Sequence, residues 1–182
     1  VAVPPLAPAQ FKLAETRSLA SIARWLHELL NSYQERFRFR LAVIGFGKLG
    51  GIELGYGSDL DLVFLYDCPD GNAMTSGEKP LSCSQFYGRL GLKIRHILDT
   101  KMLSGVLYEV DMRLRPSGDS GLLVTHIGVY EDYLKNQAWT WEHQALVRGR
   151  FIAGDLRLKA LYEGIRHRIL GLTRDESHLK TE

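Results

Sequence analysis

The sequence predicts a small α/β domain, and three observations carry that prediction. Two short apolar runs, Leu41–Ile44 and Leu60–Tyr66, have the length and composition of buried strands. The stretch Val106–Leu114 alternates apolar and charged residues with the period of a half-buried strand. Between and after these lie apolar residues recurring at helical spacing.

In chain order, residues 1–10 are proline-rich and read as a disordered linker. Leu19, Ile22, Ala23, Leu26, Leu29, Leu30 and Tyr33 place an N-terminal helix within 11–37. Leu41–Ile44 forms the first strand and runs into Gly45-Phe46-Gly47-Lys48-Leu49-Gly50-Gly51. Leu60–Tyr66 is the second strand, and Cys68–Cys83 a surface loop rich in turn-forming residues. Phe86, Leu90, Ile94 and Ile97 trace one face of a helix over 84–98. On the strand Val106–Leu114, Val106, Tyr108, Val110, Met112 and Leu114 share one face, and Glu109, Asp111, Arg113 and Arg115 the other. Helices are expected over roughly 125–136 and 139–152, broken by Gly154, and again where Leu158, Leu161, Tyr162, Ile165 and Ile169 recur.

Hydrophobic residues make up 45% of the chain, charged residues 24%, and the net charge is +2. A net charge that small provides no global field for nucleic acid. No apolar run reaches membrane-spanning length, and the N-terminus lacks a signal-peptide pattern. The absence of an initiator methionine hints at a piece of a longer chain. Two cysteines, Cys68 and Cys83, provide no disulfide framework, which suggests a reducing, intracellular setting.

The chemistry concentrates in Ser58-Asp59-Leu60-Asp61. Asp59 and Asp61 point to the same side of a strand start, where two carboxylates repel unless a cation lies between them. A divalent metal is the natural reason for such a pair; a solvated strand end is the alternative. The glycine run just before it suggests that a phosphate accompanies the metal.

Gly45-x-Gly47-x-x-Gly50 after a strand imitates the dinucleotide-binding fingerprint, with Asp67 as the acidic partner. The segment from Gly51 to Ser58 is too short for the crossover helix that fold requires, which takes about a dozen residues. The spacing of a P-loop is absent as well. The glycines therefore serve a loop or a very short turn of helix, with backbone NH groups open to phosphate oxygens.

If the strands carrying Asp61 and Asp111 are neighbours, three carboxylates converge, which suits two divalent cations. Arg113 and Arg115, on the same face as Asp111, would then meet phosphate oxygens. A surface ion pair with one of these arginines is the alternative for Asp111.

The glycine loop, Ser-Asp-x-Asp on a strand and a third aspartate on a later strand resemble the polymerase-β-type nucleotidyltransferase superfamily. Gly47-Lys48 and Gly50-Gly51 both qualify as its small-residue pair. Three motifs narrow the resemblance to the glutamine synthetase adenylyltransferases. They are Gly45–Leu62, Tyr108-Glu-Val-Asp-Met-Arg-Leu-Arg-Pro-Ser-Gly118, and Ala138-Trp-Thr-Trp-Glu-His-Gln-Ala-Leu-Val-Arg148. Trp139 and Trp141 suit helix packing or nucleotide stacking; Arg148 and Arg150 suit helix-end carbonyls or phosphate.

The resemblance implies an α+β nucleotidyltransferase fold, a small mixed sheet flanked by helices, with helical N- and C-terminal extensions. It places the nucleotidyltransferase domain at 38–152 and the start of a helical region at 153–182. It implies Mg²⁺, two ions, held by Asp59, Asp61 and Asp111 as catalytic residues. ATP phosphates would meet Gly47, Lys48, Gly50, Gly51, Ser58, Arg113 and Arg115. The implied reaction is transfer of AMP from ATP to a tyrosine of glutamine synthetase in the cytoplasm, with the PII signalling protein acting through the full-length chain. The motif around Trp139 and Trp141 resembles the adenylylating half of the family more than the phosphorolytic, AMP-removing half. A regulatory or docking fragment without efficient turnover is a further alternative.

Overall fold

The computed structural model describes Arg24 and residues 40–55, 58–75, 79–99, 101–102, 105–106 and 109–172. The linker expected over 1–10 and, apart from Arg24, the helix expected over 11–37 lie outside the described residues. So do Tyr56, Gly57 and Tyr108 of the motifs.

A five-stranded mixed sheet organises the chain. Strand β1 (Arg40–Gly45) is buried from Leu41 onward, as its unbroken apolar run requires. It leads into a five-residue helix, α1 (Gly47–Gly51), and then into β2 (Leu60–Asp67). Strands β1 and β2 pair antiparallel, with Arg40 opposite Asp67 and Gly45 opposite Leu62. A dinucleotide-binding unit needs parallel strands joined by a crossover helix, so this pairing excludes it. Asp67 instead forms an ion pair with Arg40 at 2.6 Å.

After β2 come α2 (Cys83–Leu98), a hairpin of β3 (Lys101–Met102) and β4 (Gly105–Val106), and β5 (Val110–Asp111). A 3-10 turn (Gly118–Ser120) precedes β6 (Val124–His126). Helices α3 (Ile127–Asn136) and α4 (Thr140–Val147), strand β7 (Arg150–Gly154) and helix α5 (Leu156–Leu170) complete the order. Strand β7 pairs antiparallel with β1. Strands β5 and β6 both run parallel to β2, β5 beside its start and β6 beside its end.

Both faces of the sheet are covered, so β1 and β2 bury side chains in both directions. Leu41, Val43, Leu60, Leu62 and Phe64 face α2, where they meet Tyr87, Leu90, Ile94 and Leu98. Ala42, Ile44, Val63 and Leu65 face α3, α4 and α5, against Tyr130, Leu134, Leu146, Tyr162 and Ile165. Each such side chain contributes about 1.5–3 kcal/mol through burial. Helix α2 starts at a capping box in which Ser82 and Gln85 bond reciprocally. Gly91 brings α2 close to β6, since a Cβ there would strike Val124.

The structure corrects four sequence expectations. Of the strand expected over 106–114, Val106 belongs to the β3–β4 hairpin and only Val110–Asp111 joins the sheet, after which the chain turns with Arg115 N donating to Met112 O at 3.2 Å. Leu114 consequently packs on the opposite side of the sheet from Val110 and Met112. Two strands of the main sheet were unforeseen: β6 occupies the start of the helix expected at 125, and β7 the end of the one expected over 139–152. The sheet thus has five strands where three were expected. Finally, Cys68 and Cys83 are joined as a disulfide, with Cα atoms 6.5 Å apart. A bridge between Met74 and Ser82 folds the intervening loop back, which brings its two ends together. The cysteine count therefore does not argue for a reducing setting. Among the described residues no helix is long and apolar enough to cross a membrane.

Candidate active site

The parallel pairing of β5 with β2 decides the geometry of the site. Leu60 lies opposite Val110, and Asp61 opposite Asp111. Parallel neighbours present register partners on the same side of a sheet. Asp61 and Asp111 therefore project together, away from the α2 face into which Leu60 and Val110 pack. Asp59, two residues before Asp61, joins them. One oxygen from each of Asp59, Asp61 and Asp111 lies within 4.8 Å of the other two.

Three carboxylates so close create an electrostatic deficit. Burial first, and then the charges of Asp59 and Asp111, push the Asp61 carboxyl above its ordinary value; Arg113 and Lys48 act against this. Asp111 moves the other way. Hydrogen bonds from Arg113 hold it below the usual carboxylate range, against the effect of burial. The guanidinium of Arg113 donates from Nε at 2.8 Å and from NH2 at 2.5 Å to Asp111 Oδ2, and its backbone NH donates to Oδ1 at 2.8 Å. The surface ion pair and the converging triad are thus both present.

The donor set fits a hard divalent cation. All three groups are carboxylates, Asp61 and Asp111 are half-buried, and Arg113 and Lys48 only partly offset the effect of burial and like charge on Asp61. Asp59, Asp61 and Asp111 could hold such an ion, with phosphate and water completing its shell.

Helix α1 closes one side of the site. Phe46 N donates to Asp61 O at 2.9 Å, which fastens the start of α1 to the strand. Gly47 has φ 50°, and a Cβ there would collide with Asp61 Oδ2. Only glycine satisfies both demands. Gly50 lies so close to the Arg148 carbonyl that it too has no room for a side chain. Lys48 is exposed, and Gly51 ends the helix.

Not every expected phosphate contact is free to act as one. The Gly50 NH donates to Phe46 O at 2.7 Å, and the Ser58 NH to Gly55 O at 3.2 Å. The Ser58 hydroxyl accepts from the Gly55 NH. Both residues therefore shape the loop through their backbone. Arg115 departs from its expected position beside Asp111 on a strand face. It is buried, donates from NH1 to Met112 O at 2.7 Å and pairs with Asp119. Its first task is to hold the turn that ends β5. Arg113, though bonded to Asp111, is 74% exposed at the mouth of the site.

A cleft of about 540 Å³ opens beside the triad, lined by Asp59, Arg95, Glu109, Asp111, Arg113 and Arg115 among others. Arg95 was not singled out in the sequence. It sits on α2 next to the buried Ile94, and only the packing of α2 brings it to this cleft. Trp139 and Trp141 are each 54% exposed and belong to neither core cluster. The buried members of their motif are Glu142, His143 and Leu146. Glu142 accepts from the Tyr133 hydroxyl and from the Trp139 NH.

Comparison with known families adds one finding. A family model for glutamate-ammonia ligase adenylyltransferase matches residues 12–165. The chain belongs to that family. The match spans α1, the Asp59–Asp61 strand, β5 and the motif at 138–148, so the residues that build the site all lie within it. Family membership makes the chain an adenylyltransferase-type nucleotidyltransferase. Its sheet, mixed and flanked by helices on both faces, is of the nucleotidyltransferase kind.

Proposed function

We propose that this chain transfers AMP from ATP to a tyrosine of glutamine synthetase, releasing pyrophosphate. The observation that carries the proposal is the convergence of Asp59, Asp61 and Asp111 across the β2–β5 pair, beside a glycine helix, in a chain of this family. Asp59, Asp61 and Asp111 would hold Mg²⁺, as two ions. Bound there, the metal supplies charge neutralisation at the reacting phosphate.

The remaining work falls to the protein's own residues. A tyrosine hydroxyl has a pKa of about 10 and is mostly protonated at neutral pH. Asp111, held below the usual carboxylate range by Arg113, would accept its proton in the transition state. The tyrosine oxygen bonds to the α-phosphorus, the bond from that phosphorus to the bridging oxygen breaks, and pyrophosphate leaves with the electron pair. Lys48 and Arg113, both exposed beside the carboxylates, supply positive charge for the phosphates. Gly47 lets the loop approach Asp61 without a side chain intervening. Gly50, Gly51 and Ser58 hold the loop in shape.

A cytoplasmic setting follows from these substrates, and the PII signalling protein would act through the full-length chain. Incubation with glutamine synthetase, Mg²⁺ and α-labelled ATP tests the reading. Label on a tyrosine is the expected outcome. AMP removal from adenylylated glutamine synthetase in the presence of phosphate, with no labelling, would assign the chain to the reverse half-reaction. Neither reaction, together with no Mg²⁺-dependent ATP binding by calorimetry, would leave a docking fragment.

A further inference from the structure

Helix α1 cannot stand by itself. Its sequence is Gly-Lys-Leu-Gly-Gly over Gly47–Gly51. Each glycine costs about 1 kcal/mol relative to alanine in a helix, and a single turn repays little of the cost of nucleation. Something outside must fix the segment that carries Gly47 and Lys48.

Three contacts from the far end of the chain do so. Arg150, on β7, donates from NH2 to Leu49 O at 3.2 Å and to Gly50 O. These are carbonyls of the last turn of α1, where a positive charge is electrostatically favoured. Arg148 pairs with Glu53, NH1 to Oε2 at 3.0 Å and NH2 to Oε1 at 3.3 Å. The Arg148 carbonyl lies against Gly50 so closely that no side chain fits between. The carbonyls at the end of α4 itself, Leu146 O and Val147 O, are taken by Arg166. The side chains of Arg148, the C-cap residue of α4, and of Arg150 on β7 are thus turned to α1 and Glu53 instead.

We propose that Arg150, assisted by the Arg148–Glu53 pair, is a positioning residue that clamps α1 against Asp61 and so sets nucleotide affinity. Neither arginine touches the aspartates; the effect passes through the backbone of α1. The activity side of the inference rests on the adenylyl-transfer reading, and the clamp itself does not.

Three measurements on the whole chain test it, using Arg150→Ala, Arg150→Lys and Arg148→Gln. Hydrogen exchange should show loss of protection at the Gly50 and Glu53 amides, which bond to Phe46 O and Lys48 O. Calorimetry with Mg²⁺ and ATP should show Kd raised roughly tenfold in Arg150→Ala, a free-energy loss of about 1.4 kcal/mol, with partial recovery in Arg150→Lys. Calorimetry with Mn²⁺ alone should show little change, since the carboxylates stay in place. Unchanged exchange at Gly50 and Glu53 would overturn the clamp. A lowered Tm with unaltered ATP affinity would reduce Arg150 to a structural residue and overturn its positioning role. If Arg150→Ala does not fold, Arg148→Gln carries the test, because the Arg148–Glu53 pair is more than half exposed on both sides. Absence of Mg²⁺-dependent ATP binding by the unsubstituted chain would count against the adenylyl-transfer reading, and exchange would still decide the clamp.

Discussion

At the scale of the residue, Asp61 concentrates the conflict between stability and function. Its carboxyl is pushed up by burial and by two like charges, so the folded protein holds that proton more tightly than the unfolded chain does. Its contribution to stability is therefore greatest at low pH and is lost as pH rises from the ordinary carboxylate value through the raised one. Asp61→Asn should raise the Tm of the metal-free protein at pH 7 by a few degrees, measured by calorimetry. The same substitution should cut AMP transfer by about 10³-fold or more, since a metal contact supplies several kcal/mol at the transition state. A variant with near-normal transfer would remove Asp61 from the site. Asp111 behaves oppositely: held low by Arg113, it stabilises above its unfolded pKa, and that contribution fades as pH falls through the folded value. Gly47→Ala tests the close approach. A left-handed φ costs a non-glycine residue about 1 kcal/mol, and the added methyl displaces Asp61. Transfer should fall about 10²-fold with the fold retained by circular dichroism, as a misplacement of about 1 Å can cost that much.

At the scale of the element, the pairings were harder to read than the elements. Helices α2 and α5 declared themselves by periodicity, because each buries one face against the sheet. Strands β6 and β7 did not. Val124–His126 runs straight into α3, and Phe151-Ile152-Ala153 is an apolar run that periodicity alone cannot assign to strand or helix. The strand expected after Val106 is described only at Val110–Asp111, Arg115 and Pro116 turn the chain soon after, and alternation carries no record of where a strand stops. The loop after β2 shows the same limit: nothing local indicates that Cys68 and Cys83 meet. Their bridge closes a loop of sequence separation 15, worth about 3 kcal/mol in chain entropy. Cys68→Ser should lower the unfolding free energy from urea titration by that amount relative to the oxidised protein, with a lower midpoint, and reduction with dithiothreitol should lower the unsubstituted protein to match. Equal midpoints with and without reductant would show that the bridge does not form in solution.

At the scale of the whole molecule, the last strand belongs to the first. Strand β7 lies beside β1, and α5 covers Ala42, Ile44, Val63 and Leu65. A chain ending at Gly149 should lose cooperative unfolding and bind a hydrophobic dye, although every carboxylate of the site is still present. A sharp thermal transition in that truncated chain would show that the sheet stands without its closing edge. The site depends on the same long-range closure, since Arg148 and Arg150 reach α1 across about a hundred residues of sequence.

The carboxylate pair was written locally. Asp59 and Asp61 needed only the two-residue period of a strand to become a pair, and the short distance from Gly50 to Asp59 sufficed to dismiss a dinucleotide fold. The family was equally legible, because its motifs are continuous stretches of residues. Convergence was not local. Whether Asp111 meets Asp61 depends on β5 lying parallel to β2 in one particular register, and the intervening chain leaves that choice open. The fate of the arginines was likewise decided by packing: Arg113 on Asp111, Arg115 buried in a turn, Arg150 on the carbonyls of α1. A side chain's partners are set by which backbone it faces, and for residues far apart in sequence only the closed sheet supplies that.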